Sequence, residues 1–290
     1  MSAQGSVRRR GRRLDALTRL LALLAARQPR LALALASTAG ALRNRMTDRW
    51  PAVSEVELLF PHVPPREAVG IAAAIGALEE RNDVFVRCVK RSGMERVRPT
   101  AVLPDALLNI EGPCILGTFH VGALHTVGVT LEALRKPVLA FRDGLLFIPR
   151  APVALLSSKG GEQRRAAAFV RALGHLRQGG IVLMALDTAP EVAIETECLG
   201  HPLALARGPF VLARMTGAPI VPLAVQWVRR GTRVVLGDAL ASEVATDAAL
   251  FESRLASAAS LWLEHYLLDA PSEISLGLLR ELLYRHRPTK

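Results

Sequence analysis

Two histidines, His120 and His125, stand close together in the stretch GTFHVGALHTVG of residues 117–128. An apolar run precedes this stretch and Gly122 separates the histidines. The pattern predicts a buried strand that ends at His120 and leads through a turn into a helix. Histidine titrates near neutral pH, so its ring can take a proton from an attacking group. The turn is therefore a candidate active site with His120 as the base.

The spacing of the two histidines argues against a metal site. Residues five apart on a helix point in directions roughly 140° apart, whereas helical metal-binding histidine pairs use positions i and i+4 and face the same way. We therefore expect no metal there. A binding site that has lost its chemistry is the other alternative for this turn.

Apolar runs and helical periods along the chain predict an α/β fold. Short apolar runs indicate buried strands, and longer periodic stretches closed by glycine indicate helices. The predicted strands cover residues 114–119, 137–141, 181–186, 219–228 and 232–237, and the predicted helices cover 65 to 78 or 89, 123–135, 162–178, 208–216 and 252–268. This alternation favours a mixed β-sheet flanked by helices.

Several polar residues follow the predicted strands directly. His120, Arg142 and Asp187 lie at or just past strand ends, as does the segment containing Pro219 and Pro222. In open α/β sheets, ligands bind in the crevice beyond the carboxyl ends of the strands. These residues are therefore candidates for one common site.

The composition indicates a basic globular protein. The formal net charge is +11, which suits nucleic acid, an anionic lipid surface or an acidic carrier protein. Neither base-stacking aromatic residues nor a recognisable reading helix is present, so we expect no nucleic-acid partner. The cysteines, Cys88, Cys114 and Cys198, form no CxxC pair, which favours small core residues in a reducing cytoplasm.

The N-terminal segment predicts an amphipathic helix on an anionic membrane surface. A run of arginines at residues 8–13 precedes leucines that recur at helical spacing between residues 14 and 24. A bilayer span needs about 20 apolar residues, and Arg27, Pro29 and Arg30 interrupt this stretch. A signal peptide and a helix packed on the domain are the alternatives.

Four sequence blocks resemble the lysophospholipid acyltransferase-like superfamily, and within it the bacterial late acyltransferases of lipid A assembly. The blocks are His120-Val-Gly-Ala-Leu-His125, Gly144-Leu-Leu-Phe-Ile-Pro-Arg150, the strand Leu183-Met-Ala-Leu-Asp187, and CLGHPLALARGPFVLARMTGAPIVPLAV at residues 198–225. Their order and spacing follow the family across residues 60–268.

The resemblance implies a glycerol-3-phosphate acyltransferase-like fold and transfer of a fatty acyl group to a hydroxyl or amine of a lipid or glycolipid. The donor would be a thioester of acyl carrier protein or coenzyme A, and no cofactor is expected. His120 would act as general base, and N–H groups of the following turn would stabilise the oxyanion. An alternative is a degenerate protein of this fold that binds acyl lipid or acyl carrier without catalysis.

Six residues are expected to contact substrate. Arginine side chains suit phosphate groups, glycines admit substrate close to the backbone, and an aspartate orients a polar group. These residues are Gly122, Arg142, Arg150, Asp187, Arg207 and Gly208. Solvated arginines, a plain turn glycine and a structural ion pair of the aspartate are the alternative interpretations.

The first block departs from the family at its last position. The family has an acidic residue there, and this chain has His125. A neutral imidazole can accept a hydrogen bond from the His120 ring and fix its tautomer, so His125 is a second candidate catalytic residue, but it cannot stabilise an imidazolium as a carboxylate does. Asp143 or Asp187, at neighbouring strand ends, could supply the missing acid.

These features predict two parts of the chain. Residues 1–45 would form a basic segment that associates with membrane, and residues 46–290 an α/β acyltransferase domain. The expected location is the cytoplasmic face of the inner membrane, with the protein held peripherally or by its N-terminal segment.

Overall fold

The computed structural model describes residues 20–47, 53–141, 153–157, 161–187, 192–229, 231–241 and 247–284. Arg142, Asp143 and Arg150, together with the block at residues 144–150, lie outside the described residues. The arginine run at residues 8–13 lies outside them as well.

The chain divides into two compact units. The first comprises residues 1–98 and 271–279, and the second comprises residues 99–270 and 280–290. This division rests on contacts within the fold. The predicted membrane-associating segment at residues 1–45 stays a prediction.

The first unit is helical where it is described. Its helices are α1 at residues 20–27, α2 (Pro29–Thr47), α3 (Val53–Leu59), α4 (Pro65–Ser92) and α5 (Met94–Val97). Helices α2 and α4 pack backbone to backbone, because a Cβ added at Gly40 would collide with the carbonyl oxygen of Gly76. Pro65 is the first residue of α4, as its fixed φ angle favours, and Gly93 with positive φ follows the helix end.

The second unit is built on a seven-stranded sheet. Its strands are β1 (Thr100–Val102), β2 (Cys114–Gly122), β3 (Val138–Phe141), β4 (Val153–Leu156), β5 (Ile181–Ala185), β8 (Ile220–Val228) and β9 (Gly231–Leu236), and a separate hairpin is formed by β6 (Ala193–Cys198) and β7 (His201–Ala206). The sheet order is β1-β9-β8-β2-β5-β3-β4. Neighbouring strands are parallel except β8 and β9, which are antiparallel.

Helices cover both faces of this sheet. The remaining helices are α6 (Asp105–Leu108), α7 (Val127–Leu134), α8 (Glu162–Arg177), α9 (Arg207–Thr216), α10 (Ala248–Asp269) and α11 (Leu276–Tyr284), which begins in the first unit. One core joins Leu131 of α7 to Leu116 and Leu183 of the sheet. On β2 Phe119 stacks on Trp262 of α10 with ring centroids 5.8 Å apart. The predicted mixed α/β sheet flanked by helices is therefore confirmed.

Three details differ from the sequence-based prediction. His120 lies within β2 and not at its end, because the strand continues to Gly122. A 3-10 turn, Leu124–Thr126, precedes α7. Pro219 and Pro222 lie at the amino end of β8, since Pro219 accepts a hydrogen bond from Ile115 at the start of parallel β2. These prolines therefore lie at the amino ends of the parallel strands, whereas His120 lies towards their carboxyl ends.

The three cysteines are buried thiols, as predicted for core residues. Burial raises the pKa of Cys88 to about 11 and the pKa values of Cys114 and Cys198 to about 12. A thiol with so high a pKa is not a nucleophile near neutral pH.

Replacing Gly117 by alanine is expected to destabilise the sheet. The added Cβ would lie 2.7 Å from a methyl group of Leu186, which is fully buried. Overpacking of this kind costs about 1–3 kcal/mol. The control is Gly174→Ala in α8, where no atom lies within 4 Å of the new Cβ and helix propensity favours alanine by about 1 kcal/mol. Denaturant unfolding measures both, and equal stabilities would contradict the packing described.

Candidate functional site

The site is created by the register of two central parallel strands. In β2 and β5, Thr118 is paired with Ala185, and the N–H of Leu186 donates to the carbonyl oxygen of Thr118 at 2.7 Å. Two residues after Thr118 and two residues after Ala185, His120 and Asp187 lie opposite each other. The pairing therefore brings together a base and an acid that are far apart in the sequence.

Asp187 binds His120 through both of its carboxylate oxygens. Oδ2 accepts the backbone N–H of His120 at 2.7 Å, and Oδ1 lies 2.8 Å from Nδ1 of the ring. An ionised carboxylate can only accept, so Nδ1 carries the proton and Nε2 keeps its lone pair. The side chain of Asp187 is 1% exposed and that of His120 is 38% exposed. The acid is thus shielded from water while the basic ring is accessible.

The carboxylate makes the ring a stronger base. The hydrogen bond that Nδ1 of His120 donates to Asp187 raises the pKa of the ring above its ordinary value of 6.5. Burial opposes this increase, and the charges of Asp187 and Glu281 add to it. The protonated ring is therefore better stabilised in the folded protein than in the unfolded chain. This contribution to stability is complete below pH 6.5 and is lost as the pH rises through the folded pKa.

The strand around His120 is irregular on its other side. Between β2 and β8, the step from Thr118 to Gly122 is matched by the shorter step from Leu223 to Val225. Such a bulge bends a strand and re-aims its side chains, and bulges are common beside active sites. Gly122 has φ of +60°, a conformation that glycine adopts without a steric penalty. The glycine between the histidines is therefore required by the backbone.

His125 lies in the 3-10 turn that follows this bulge. Nδ1 of His120 is bound by Asp187, which comes from the neighbouring strand and was predicted as a substrate-contacting residue or as a source of the missing acid. The geometry thus places the carboxylate one strand away from the motif position. A catalytic role for His125 stays a prediction.

Arg207 and Gly208 begin helix α9 close to the carboxyl ends of the central strands. The N–H of Ala206 donates to the carbonyl oxygen of Leu186 at 2.6 Å, so the chain enters α9 next to Asp187. A Cβ added at Gly208 would lie 3.6 Å from the terminal methyl group of Met184 in β5. Both residues therefore lie towards the carboxyl ends of the strands with His120, Gly122 and Asp187, and of these five His120 and Asp187 were predicted at strand ends. Their contacts with substrate stay predictions.

Glu252 is a buried charged residue that binds Arg207, and the sequence did not predict this contact. Its side chain is 2% exposed, and its two oxygens bind Nε of Arg207 at 2.6 Å and Nε of Arg214 at 2.9 Å. Glu252 was assigned only to the last amphipathic helix, because no local motif marks a glutamate whose partners are 38 and 45 positions away.

Neither a metal-binding cluster nor a membrane-spanning helix is found among the residues that the structure describes. Among these residues, no group of three His, Cys, Asp or Glu side chains is arranged to hold a metal ion. No helix within the same residues combines the length and hydropathy that a bilayer span requires.

Comparisons with known proteins give little more. No protein-family model matches the chain, and no curated protein matches it. Among solved structures, it is similar to a 1-acyl-sn-glycerophosphate (LPA) acyltransferase, PlsC, from Thermotoga maritima, with 12% identity and a TM-score of 0.41 over 85% of this chain and 98% of that one. A similarity with so low a TM-score does not support an inference about function. The function is therefore inferred from this chain's own residues.

Replacing Asp187 by asparagine is expected to lower the pKa of His120. The change removes the hydrogen-bonded charge that raises this pKa, and burial, which lowers it, remains. An NMR titration of the His120 ring should show a native pKa above 6.5 and a lower one in the variant. Glu281→Gln is the matched control and should give a smaller decrease. A native pKa below 6.5 would contradict the arrangement.

Proposed function

We propose that this protein transfers a fatty acyl group from a thioester of acyl carrier protein or coenzyme A to a hydroxyl or amine of a lipid or glycolipid. One observation carries the proposal. A buried carboxylate, Asp187, binds Nδ1 of a partly exposed histidine, His120, at 2.8 Å and leaves Nε2 available as a base. This is the arrangement that activates a hydroxyl or amine for attack on an acyl group.

The reaction needs one base and no covalent intermediate. Nε2 of His120 takes the proton of the acceptor as its oxygen or nitrogen bonds to the thioester carbonyl carbon. The tetrahedral intermediate then collapses, the carbon–sulfur bond breaks, and the thiol sulfur leaves with the proton from Nε2. The ring is neutral again at the end, so the cycle closes without an added reagent.

Asp187 has two tasks in this cycle. It holds the tautomer in which Nε2 faces the acceptor, and its charge stabilises the imidazolium that forms. Replacing the corresponding carboxylate by an amide in serine hydrolases lowers turnover about 10⁴-fold. The backbone N–H of His120 also donates a hydrogen bond to the same carboxylate, at 2.7 Å, and this contact limits movement of the base.

The sequence blocks support acyl transfer over other uses of a histidine–carboxylate pair. His120 and Gly122 occupy the positions of the first family block, and Asp187 closes the block that ends in an acidic residue. In this proposal Asp187 takes over from the motif acid that His125 replaces. A lipid A-type acceptor is proposed on the same resemblance.

The surface of the first unit supports a location on an anionic membrane. On α1, Leu20 and Leu23 are 50% and 62% exposed, and on α2 Leu31 and Leu35 are 44% and 42% exposed. Arginines at the junction of these helices are exposed too. Exposed leucines next to arginines suit the boundary between acyl chains and anionic headgroups. We place the protein peripherally at the cytoplasmic face of the inner membrane.

Acyl transfer is expected to depend on the His120–Asp187 pair. With labelled acyl thioester and extracted membrane lipids, His120→Ala should abolish transfer and Asp187→Asn should lower it about 10⁴-fold. The acid limb of the pH–rate profile is expected above pH 6.5 in the native protein, because the pKa of His120 is raised, and it should move to lower pH in Asp187→Asn.

His265→Ala is the control, because this histidine is exposed on α10 and should leave the rate unchanged. Transfer by His120→Ala at the native rate would exclude His120 as the base. Native protein that binds acyl lipid and transfers nothing would identify the non-catalytic alternative.

Vesicle binding is expected to require the leucines of α2. Leu31→Gln with Leu35→Gln should weaken the affinity for phosphatidylglycerol-containing vesicles, measured by sedimentation, by about 100-fold or more, because each fully buried leucine contributes roughly 1.5–3 kcal/mol and each 1.4 kcal/mol is about tenfold. Leu58→Gln is the control, since Leu58 is 55% exposed on α3 of the same unit. If Leu58→Gln loses as much vesicle binding as the double variant, the exposed leucines of α2 are not the membrane-binding surface. If the native protein binds neutral vesicles as well as anionic ones, the arginines have no role in membrane binding.

A further inference from the structure

A groove with two lobes lies in the second unit, where the last turns of α8 meet the starts of β3, β4 and β5. The first lobe has a volume of about 390 Å³ and the second a volume of about 380 Å³. Pro137, His175 and Gln178 line both lobes, so the lobes adjoin each other. Binding pockets for small molecules have volumes of roughly 300–1,000 Å³, and each lobe is therefore large enough for a ligand.

The groove is separate from the candidate active site. Its second lobe includes Ile181, the first residue of β5, whereas Asp187 follows the end of that strand. A strand advances about 3.3 Å per residue, so these two residues are roughly 20 Å apart. Leu139 of the first lobe is paired with Val182, and side chains alternate along β5, so Leu139 faces the side of the sheet opposite to Asp187. A ligand in the groove would therefore not contact His120.

The first lobe combines apolar walls with a basic rim. Leu139 and Ala154 supply apolar surface from two neighbouring strands, and Arg171, which is exposed on α8, lies at the rim. None of the described residues that line this lobe is acidic. Apolar walls with a few polar groups that fix orientation are typical of small-molecule sites.

Small side chains keep the first lobe open. Leu139 and Ala154 are cross-strand partners, so their side chains share one face of the sheet. Ala154 is exposed, because nothing larger fills the space beside Leu139. On α8, Gly174 has no atom within 4 Å of the position that a Cβ would take. A larger residue at position 154 would occupy the lobe.

The second lobe adds a cation that is held in place. Nζ of Lys136, a half-buried residue, donates to the carbonyl oxygen of Ile110 at 2.6 Å. An ammonium group has three donor protons, so this bond does not exhaust its capacity. Glu111 is the one acid among the described residues that line either lobe, and it is exposed, so water screens its charge. The groove as a whole is therefore positively charged.

We infer that this groove binds a small organic anion, with its carboxylate or phosphate group at Arg171 and its apolar body on Leu139 and Ala154. A guanidinium group binds both kinds of anion through paired hydrogen bonds, and Lys136 in the adjoining lobe adds to the positive potential. A fatty acid would supply the carboxylate and a nucleoside monophosphate the phosphate. The inference is independent of the proposed acyl transfer.

Calorimetry on the full-length protein tests the preference for an anion. Octanoate is compared with octanol, and adenosine monophosphate with adenosine. In at least one pair the anion should bind roughly 10- to 100-fold more tightly than its neutral counterpart, because a hydrogen bond to a charged group is stronger than one to a neutral group. The pair that shows this difference identifies the carboxylate or the phosphate. Two pairs without a difference would overturn the inference.

The ring of His175 reports where the anion binds. This residue lines both lobes, and its ring packs on the backbone of Gly180, since a Cβ added there would collide with Nε2. In protein labelled at histidine, the NMR signals of His175 should shift on addition of the anion, and those of His120 should not. His120→Ala should bind the anion as tightly as the native protein. A shift of His120 without one of His175 would locate the anion at the candidate active site and overturn the inference.

Variants of the groove complete the test. Arg171→Gln should abolish the preference for the anion, whereas Arg177→Gln is the matched control, because Arg177 is equally an exposed arginine of α8 and lines neither lobe. Ala154→Phe should weaken binding of the anion and of its neutral counterpart alike, since it fills the first lobe at an exposed strand position that suits phenylalanine. Native affinity for the anion in both Arg171→Gln and Ala154→Phe would overturn the inference.

Discussion

The parallel pairing of β2 with β5 is the constraint on which the site depends. A shift of one residue would turn every side chain of a strand to the other face of the sheet. In the register observed, Thr118 is opposite Ala185, and Asp187 therefore meets both the backbone N–H and the ring of His120. The pairing is fixed by the core, where Leu116 and Leu183 pack with α7.

Close packing beneath the site maintains that register. Leu186 lies between Asp187 and the strand, and it fills the space that a side chain at Gly117 would need. Its N–H and carbonyl group bond to Thr118 and to Ala206, so it connects β2, β5 and the chain entering α9. The position of the acid is thus determined by neighbours on both sides. A base whose partner cannot move needs little reorganisation during proton transfer.

Two buried acids fix two accessible basic groups by the same physical means. Asp187 and Glu252 are 1% and 2% exposed, while His120 and Arg207, which they bind, are 38% and 46% exposed. An ionised carboxylate out of water must be paired, and pairing it with a partly exposed group orients that group towards solvent.

The sequence alone determined the class of fold and the chemical character of the site. Apolar runs of strand length and glycine-terminated helical periods are local signals, so β3, β8, α8 and α9 were placed within a few residues of their observed bounds. His120 and Gly122 were identified in the same way, since a histidine followed by a glycine after a buried strand is visible within one short segment. Asp187 was placed correctly at a strand end for the same reason.

Only the tertiary structure decided which acid meets His120. The motif position gave His125, but the carboxylate comes from Asp187, 67 residues away, because neighbouring parallel strands need not follow each other in the chain. Glu252 was missed for the same reason, since its arginines lie on another helix. Pro219 and Pro222 were assigned to the wrong end of the strands, because hydropathy does not reveal whether a strand runs parallel or antiparallel to its neighbours. The sequence determines which groups are present, and long-range pairing determines which of them meet.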